Sequence, residues 1–274
     1  MQEKFSVLMS LYIKEKPEYF NECMKSIIEN TILPDEIVIV LDGPITDELR
    51  LVLDDYVKKN PKLYNIVPLD TNQGLGLALR EGVLHCKNEL IARMDTDDIC
   101  RKDRFELQLR EFKQNPVLDI CGSYIAEFED SIDKIIAKRV VPLDDNAIKK
   151  YQRRRDGFNH VSVMFKKDSV LKAGNYQSCL LMEDTLLWAN MFMNGCIGKN
   201  IDDYLVFVRI GKEMYERRGG IKYYKKYKQG RKQVYKTGFI SWWDYKYTLI
   251  VQFFVAIMPN KVRGFIFKKL LHNG

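Results

Sequence analysis

The feature that most constrains this sequence is a regular alternation of short apolar segments with amphipathic segments in its first hundred residues. The apolar segments have the length of β-strands, and the segments between them repeat apolar side chains at helical spacing. Strands and helices that alternate with short links predict a parallel sheet covered by helices on both faces. The predicted strands are Phe5–Ser10, Glu36–Leu41, Tyr64–Leu69 and Leu90–Met94, and the predicted helices are 17–30, 46–59 and one that opens at Asn72–Arg80 and ends near His85.

Three carboxylates follow the fourth predicted strand, within the stretch Ile91–Asp98: Asp95, Asp97 and Asp98. In an open α/β sheet, ligands bind outside the carboxyl ends of the strands, so these side chains lie at the mouth of the expected site. Hard divalent cations take oxygen ligands and keep coordination positions open for substrate phosphates. The stretch therefore fits a metal–diphosphate site, although an acidic turn that caps the next helix fits the spacing equally well.

Two other predicted strands also end in polar side chains, Tyr12 after the first and Asp42 after the second. The carboxyl ends of parallel strands converge on one crevice, where Asp42 could accept hydrogen bonds from a base or a ribose. Gly74 and Gly76 form neither a dinucleotide-binding motif nor a P-loop. Gly74 instead opens the next helix, and Arg80 on that helix is either a ligand of the crevice or a solvated charge.

The second half contains a further carboxylate pair, Glu183 and Asp184, directly before a strongly apolar helical segment. Acidic residues favour helix N-termini, so this pair, taken alone, is better explained by capping than by chemistry. His160 opens a segment that ends at Phe165, which we interpret as a strand at the edge of the sheet, and its side chain either lines a pocket or is structural. The run Arg153–Arg155 faces an anionic ligand or forms a solvated loop, and we favour the loop. A helix over 103–114 and a strand over Val117–Ile125 complete this half.

The charge of the chain is unevenly distributed. From Leu205 to the end there are 16 Lys and Arg against 3 Asp and Glu, whereas the whole chain has a net charge of +7. We therefore divide the chain into an α/β domain over 1–210, with halves 1–100 and 101–210, and a basic, aromatic-rich helical extension over 211–274. Basic residues interleaved with aromatic ones fit nucleic acid or an anionic membrane surface. The apolar segments Leu249–Met258 and Phe265–Leu271 favour the membrane, although packing as a core helix is the alternative.

The location of the protein is predicted from its termini and cysteines. The chain shows no signal-peptide core and no apolar run of the roughly 20 residues that a membrane span requires. Its six cysteines are scattered without a C-x-x-C pair, which is typical of reduced thiols in the cytoplasm. We expect a cytoplasmic protein that is peripheral on the inner face of the cell membrane and has no nucleic-acid partner.

An ordered set of motifs resembles family-two glycosyltransferases of the GT-A fold, a Rossmann-like, mostly parallel sheet flanked by helices. The resemblance extends from about residue 5 to about residue 220, and is greatest to bacterial enzymes that assemble O-antigen, capsule or exopolysaccharide repeat units. The motifs are Ser6–Tyr12, Pro34–Gly43, Asn72–Leu79, Ile91–Asp98, Arg101–Gln108, Asn115-Pro116, Asp119–Gly122, His160–Phe165 and Glu183-Asp184.

The resemblance implies roles for individual residues. Tyr12 and Asp42 would contact the nucleotide, and Arg93 would lie near the sugar or the diphosphate. Asp95 and Asp97 would form the D-x-D motif that holds Mn²⁺ or Mg²⁺, with Asp97 the more direct ligand. Asp184 would be the general base, and we expect the helix N-terminus to lower its pKa. Glu183 would orient it or contact the acceptor, whereas Arg217 and Arg218 would contact a diphosphate.

The predicted function is inverting transfer of a hexose from a nucleotide sugar to a saccharide on a polyprenyl diphosphate. The hexose would be galactose, glucose or an N-acetyl form, and the donor a UDP-sugar. One alternative is a nucleotidyltransferase, which the absence of glycine from the first loop, Leu11–Pro17, argues against. The other is a non-catalytic membrane or nucleic-acid binder, which leaves both carboxylate groups unexplained.

Overall fold

The computed structural model describes residues 3–211 and 219–258. The strands are β1 (Phe5–Leu11), β2 (Glu36–Leu41), β3 (Tyr64–Pro68), β4 (Leu90–Arg93), β5 (Ile99–Cys100), β6 (Ile120–Phe128), β7 (Ile135–Arg139), β8 (Met164–Lys166) and β9 (Gly198–Arg209). The helices are α1 (Pro17–Ile28), α2 (Asp47–Lys59), α3 (Leu75–His85), α4 (Arg104–Gln114), α5 (Asp145–Gln152), α6 (Lys167–Lys172), α7 (Glu183–Met193), α8 (Gly220–Lys236) and α9 (Trp242–Ile257). The α/β class predicted from the sequence is confirmed.

The strands form one sheet in the order β3-β2-β1-β4-β8-β6-β9-β5, with β7 paired to β6. The first four strands of this order are mutually parallel, as the strand–helix alternation predicts. Beyond β4 the sheet continues through the antiparallel strand β8, and β6 and β9 then run parallel to each other. The parallel half therefore brings the carboxyl ends of β1, β2 and β4 to one edge.

The segment from His160 to Phe165 differs from its prediction as an edge strand. Residues His160–Ser162 form a 3-10 turn, and only Met164–Lys166 form a strand. That strand is central, since Phe165 is paired with Ile91 of β4 on one side and with Ile120 of β6 on the other. Met164 and Phe165 are both fully buried, whereas successive side chains of an edge strand would alternate between buried and exposed.

The region 126–158, which looked polar and irregular, contains two elements. It includes the end of β6, which is shifted towards the C-terminus from the predicted Val117–Ile125, because a turn closed by Leu118 N–H on the Asn115 carbonyl delays the strand. Strand β7 and helix α5 follow, and α5 begins where the Asp144 carboxylate accepts from the Ala147 N–H at 2.9 Å. Helix α5 packs against α7, the helix that the second carboxylate pair begins.

Two apolar layers cover the sheet, one beneath α1, α2 and α4 and the other beneath α3, α6 and α7. Gly82 shows how closely α3 approaches, because a Cβ at that position would lie 2.2 Å from the Leu8 side chain. The same helix begins after Gly74, whose φ of 88° places it in the left-handed region that favours glycine.

The helices after residue 211 pack on the α/β domain. Val234 of α8 and the following Ile240 share an apolar cluster with Met182, Leu186 and Ala189 of the α7 region. A Cβ at Gly230 of α8 would lie 2.5 Å from the Leu180 carbonyl oxygen, so the two backbones are in close approach. The division at residue 210 stays a prediction, and the residues Arg217, Arg218 and 265–271 lie outside the described residues.

Two predictions about membrane spans and cysteines can be compared with the fold. Within residues 3–211 and 219–258, no helix is both long enough and apolar enough to cross a bilayer. All six cysteines are buried free thiols, as expected for a chain without disulfides: Cys23, Cys86, Cys100, Cys121, Cys179 and Cys196. Burial raises their pKa values, to about 12 for Cys86 and to about 11 for Cys196.

Candidate active site

Asp95, Asp97 and Asp98 form a carboxylate cluster where the chain leaves β4. Strand β4 is held beside β1, and the Met94 N–H still donates to the Leu8 carbonyl at 3.0 Å before the chain turns out of the sheet. One carboxylate oxygen from each of the three residues lies within 4.8 Å of the others. The three carboxylates therefore lie together at the carboxyl end of β4, as the sequence predicts.

The electrostatics of this cluster favour a cation. Burial and the neighbouring charges of Asp95 and Glu15 raise the pKa of Asp97 to about 7. The pKa of the buried Asp98 is also raised, again by burial and then by Asp97 and Asp95. Because all the donors are carboxylate oxygens, the cluster fits a hard divalent cation such as Mg²⁺ or Mn²⁺, and the charge of the ion would relieve this repulsion.

Arg93 is the cationic neighbour of the cluster. Its side chain is 1% exposed, and one terminal nitrogen, Nη2, donates to Asp95 Oδ1. Among the described residues, its Nε and Nη1 atoms find no acceptor. A buried guanidinium with unfilled donors suits an anionic or hydroxylated ligand, since unpaired buried polar atoms are costly.

Glu183 and Asp184 begin α7, within electrostatic range of Arg93. The charge of Arg93 acts on both Asp97 and Asp184, so it bridges the two carboxylate groups electrostatically. The Asp184 side chain is 20% exposed, and its Oδ1 accepts from the Thr185 N–H at 2.7 Å. Gly76 of α3 leaves space for Glu183, because a Cβ on Gly76 would lie 2.9 Å from the Glu183 Cβ.

The prediction that the helix N-terminus lowers the pKa of Asp184 is wrong. Burial, followed by the nearby charges of Asp156 and Glu183, raises that pKa to about 8. The hydrogen bond from Thr185 acts in the opposite direction but is outweighed. Asp156 is held close by the Thr185 hydroxyl, which donates to its Oδ1 at 2.6 Å. The pKa of Glu183 is also raised, mainly by burial.

His160 lies beside Asp184, with 4.0 Å between His160 Nδ1 and Asp184 Oδ2. Its Nε2 is 2.8 Å from the hydroxyl of the buried Tyr176. Burial, and then the charge of Arg93, lower the pKa of His160 well below its usual range, which favours the neutral form of the ring. The contact with Tyr176 is consistent with a structural role for His160. Its position beside Asp184 is also consistent with contact to the acceptor, which stays a prediction.

The residues predicted to contact the nucleotide have different surroundings. The Asp42 carboxylate is 4% exposed and closes the turn before α3, accepting from the backbone N–H groups of Gln73 at 2.6 Å and Gly74 at 3.0 Å. Tyr12 follows β1 and is 41% exposed, whereas Arg80 is an exposed residue on α3. Nucleotide contacts by these three residues stay predictions.

Several polar residues that support the site have no predicted role, including Arg104 and Gln108 of the Arg101–Gln108 motif. Arg104 and Gln108 are buried, and Arg104 donates to the Arg93 carbonyl at 2.8 Å. The sequence feature that indicates their burial is that both lie, four residues apart, on the otherwise apolar face of the predicted helix. Arg209 donates from its backbone N–H to Asp98 at 2.9 Å. Asp156 lies in a stretch without periodicity, which offered no signal.

Comparisons with known proteins agree on one family. The family model "Glycosyl transferase family 2" matches residues 6–173. An Escherichia coli UDP-Gal:alpha-D-GlcNAc-diphosphoundecaprenol beta-1,3-galactosyltransferase is 40% identical, over 98% of this chain and 96% of its own length. The amylovoran biosynthesis glycosyltransferase AmsE of Erwinia amylovora is 39% identical, over 97% of this chain and 98% of its own.

A solved structure supports the fold. The mannosyltransferase PcManGT from Pyrobaculum calidifontis, in complex with GDP-Man and Mn²⁺, superposes with a TM-score of 0.66. The match covers 96% of this chain and 72% of that one, at 15% sequence identity. At this identity the likeness concerns the fold alone, and it agrees with the GT-A arrangement expected from the motifs.

Proposed function

Because the chain belongs to glycosyl transferase family 2, we propose that it is a metal-dependent, inverting hexosyltransferase with a UDP-sugar donor. The observation that carries the proposal is that the buried Arg93 lies within electrostatic range of both Asp97 of the Asp95–Asp98 cluster and Asp184. One carboxylate group suits the leaving diphosphate and the other an acceptor hydroxyl. No observation favours a nucleotidyltransferase or a non-catalytic binder.

The donor side of the reaction concerns the departing nucleoside diphosphate. Asp97 and Asp95 would hold Mn²⁺ or Mg²⁺, and the bound ion would offset the negative charge that develops on that leaving group. Arg93 contributes a second, permanent positive charge, with donors that no described residue fills. Tyr12, Asp42 and Arg80 are our candidates for contacts with the nucleotide.

The acceptor side of the reaction requires a single base. An acceptor hydroxyl transfers its proton to Asp184 while its oxygen bonds to the anomeric carbon and the bond from that carbon to the diphosphate oxygen breaks. This single displacement inverts the anomeric configuration. A pKa of about 8 makes the Asp184 carboxylate a stronger base than an ordinary carboxylate, and at pH 7 only part of the molecules carry it in the ionised form. Glu183 and His160 flank it as acceptor contacts, and Arg217 and Arg218 remain candidates for a diphosphate contact.

The acceptor we propose is a saccharide carried on a polyprenyl diphosphate, as in the name of the Escherichia coli relative. The same name makes galactose the first hexose to test, followed by glucose and the N-acetyl forms. Such an acceptor lies at a membrane surface, where the basic α8 and the exposed apolar side chains of α9 would hold the enzyme on the cytoplasmic face. These exposed side chains include Trp243 and Phe254.

The proposal is tested by calorimetry of the full chain with UDP, with and without Mn²⁺. We expect binding that depends on Mn²⁺ and is lost in Asp97→Asn, because that variant removes one carboxylate from the cation site. Asp184→Asn is the matched control, since it should bind UDP like the wild type and yet fail to transfer galactose from UDP-galactose. UDP binding that is independent of both Mn²⁺ and Asp97, or unimpaired transfer by Asp184→Asn, would contradict the assignment.

A further inference from the structure

A cavity of about 830 Å³ lies between the α5 region and the α8–α9 pair, outside the two carboxylate groups. One side of its lining is cationic and consists of Lys150, Arg153, Arg154 and Arg155. The other side includes the α9 residues Tyr247, Val251 and Val255. Its volume is within the range of sites that bind small molecules.

The cationic side carries an excess of positive charge. Arg154 is partly neutralised by Asp244, with 2.7 Å between Arg154 Nε and Asp244 Oδ1, and it also lies over the Tyr247 ring. Within residues 3–211 and 219–258, no carboxylate forms an ion pair with Lys150, Arg153 or Arg155. Guanidinium groups match phosphate oxygens in a bidentate geometry, so this side is suited to a phosphate or diphosphate.

The opposite side is a stripe of a single helix. Tyr247, Val251 and Val255 repeat at intervals of four residues and therefore line one face of α9. The adjoining face exposes Ile250 and Phe254, which are 57% and 54% accessible to solvent. Apolar surface thus continues from the cavity to the outside of the helix, which suits a ligand with an anionic head and a long apolar chain.

The two sides are joined through a buried charge. Arg231 of α8 is 2% exposed, and its Nη2 donates to the Arg153 carbonyl. Its Nε donates to the Thr248 hydroxyl of α9 at 3.0 Å. Both helices are therefore attached to the arginine run, so the cavity is a built part of the fold.

The cationic side of the cavity is connected to the proposed base through two intervening residues, Asp156 and Thr185. Asp156 directly follows Arg155 in the chain, and its Oδ1 accepts from the hydroxyl of Thr185 at 2.6 Å. Thr185 in turn directly follows Asp184. Successive Cα atoms are about 3.8 Å apart, so the cationic side begins within a few bonds of the groups that surround the base. In an acceptor saccharide on a lipid diphosphate, the saccharide separates the diphosphate from the reacting hydroxyl. A diphosphate site near the base but separate from it therefore suits such an acceptor.

We propose that this cavity binds the isoprenoid diphosphate of the acceptor, with Lys150, Arg153 and Arg155 on the diphosphate and the Tyr247–Val251–Val255 stripe on the isoprenoid chain. The inference rests on the lipid-linked acceptor of the proposed function. It adds a second anion site, distinct from the carboxylate cluster, and gives α9 a role in substrate recognition.

The test measures the binding of farnesyl diphosphate to the full chain by calorimetry. Arg153→Gln/Arg155→Gln should weaken this binding by about tenfold or more, because two charge-assisted contacts are removed. Inorganic pyrophosphate should bind the wild type more weakly than farnesyl diphosphate does, since it lacks the chain that covers the apolar stripe. Arg50→Gln/Arg110→Gln, which removes two exposed arginines of α2 and α4, is the matched control and should bind like the wild type.

Each result separates this inference from the proposed function. Loss of farnesyl diphosphate binding in the double variant, with folding by circular dichroism and Mn²⁺-dependent UDP binding retained, supports the cavity. Equal binding by wild type and double variant, with UDP binding intact, overturns the cavity alone. Failure of the wild type to bind UDP overturns the proposed function. If the double variant loses binding only to phosphatidylglycerol vesicles, the cavity is a phospholipid site and the inference is wrong.

Discussion

At the scale of single residues, the site is built on charges held close together in a buried setting. Asp97 has a pKa of about 7 and Asp184 a pKa of about 8, and burial is the largest cause for both. Their second cause differs, since Asp95 acts on Asp97 whereas Asp156 acts on Asp184. These surroundings are compatible with the roles we propose, a cation ligand for Asp97 and a proton acceptor for Asp184.

Asp156→Asn should shift the pH dependence of transfer. Removing a negative neighbour favours the ionised form of Asp184, so its pKa falls and the base form is available at lower pH. We expect the acidic limb of the kcat/KM profile, near pH 8 in the wild type, to move down by about one pH unit. The hydrogen bond to Thr185 can persist, because asparagine keeps an acceptor oxygen.

The control for this profile is Asp55→Asn, which removes an exposed carboxylate of α2 that is paired only with Lys59 among the described residues. Its acidic limb should coincide with that of the wild type. A profile for Asp156→Asn that coincides with the wild type as well would show that Asp156 does not tune the base.

The sequence identified the acidic groups of the site but not the environment of each group. Asp95 and Asp97 could be selected because they follow a predicted strand, whereas Asp184 was selected through the ordered motifs of the family resemblance. The direction of the Asp184 pKa shift was missed, because the capping geometry is local whereas the burial and Asp156 come from distant parts of the chain. Arg104 is buried for the same non-local reason.

At the scale of secondary structure, the reliable predictions were the elements with strong periodicity. Helices α1, α2 and α4 and strands β1 to β4 lie within a few residues of their predicted ranges. Strand β8 was misplaced at an edge, because the order of strands in a sheet is decided by packing and not by the local pattern. Helix α5 was missed because its eight residues are polar on most sides.

Helix α9 provides the clearest test at this scale. Its N-terminus forms a capping box, in which the Asp244 N–H donates to the Ser241 hydroxyl at 3.1 Å and the Ser241 N–H donates to the Asp244 carboxylate at 3.3 Å. Ser241→Ala should lower the free energy of unfolding by about 1 kcal/mol. The measurement is the midpoint of unfolding in urea.

Ser178→Ala is the matched control for Ser241→Ala, since it removes the hydroxyl of an exposed serine outside the helices. It should change the free energy of unfolding by less than about 0.5 kcal/mol. Equal effects of the two substitutions would show that the capping box does not stabilise α9.

At the scale of the whole molecule, the C-terminal helices combine two properties that the sequence presented as alternatives. They pack on α7 through Val234 and Ile240, and α9 still exposes large apolar side chains. Trp243 is 73% exposed and Phe254 is 54% exposed. Core packing and membrane contact are therefore compatible, because they use different faces of the same helix pair.

Trp243→Ser/Phe254→Ser should weaken binding of the protein to phosphatidylglycerol vesicles by about tenfold or more, as judged by co-sedimentation. Wild-type binding should also fall as salt is raised, because the basic residues of α8 are attracted to the anionic surface. The matched control is Leu51→Ser/Val117→Ser, which removes two exposed apolar side chains elsewhere and should leave binding unchanged. Equal vesicle binding by all three proteins would refute membrane contact through α9.

The buried cysteines make this chain a convenient subject for site-specific chemistry. A thiol reacts as its thiolate, and all six native thiols are both enclosed and biased towards the protonated form. A single cysteine introduced at an exposed position of α9 would therefore react far faster than any of them. A fluorophore or spin label placed there would report whether that helix enters a bilayer and how deeply, without the native cysteines having to be replaced first.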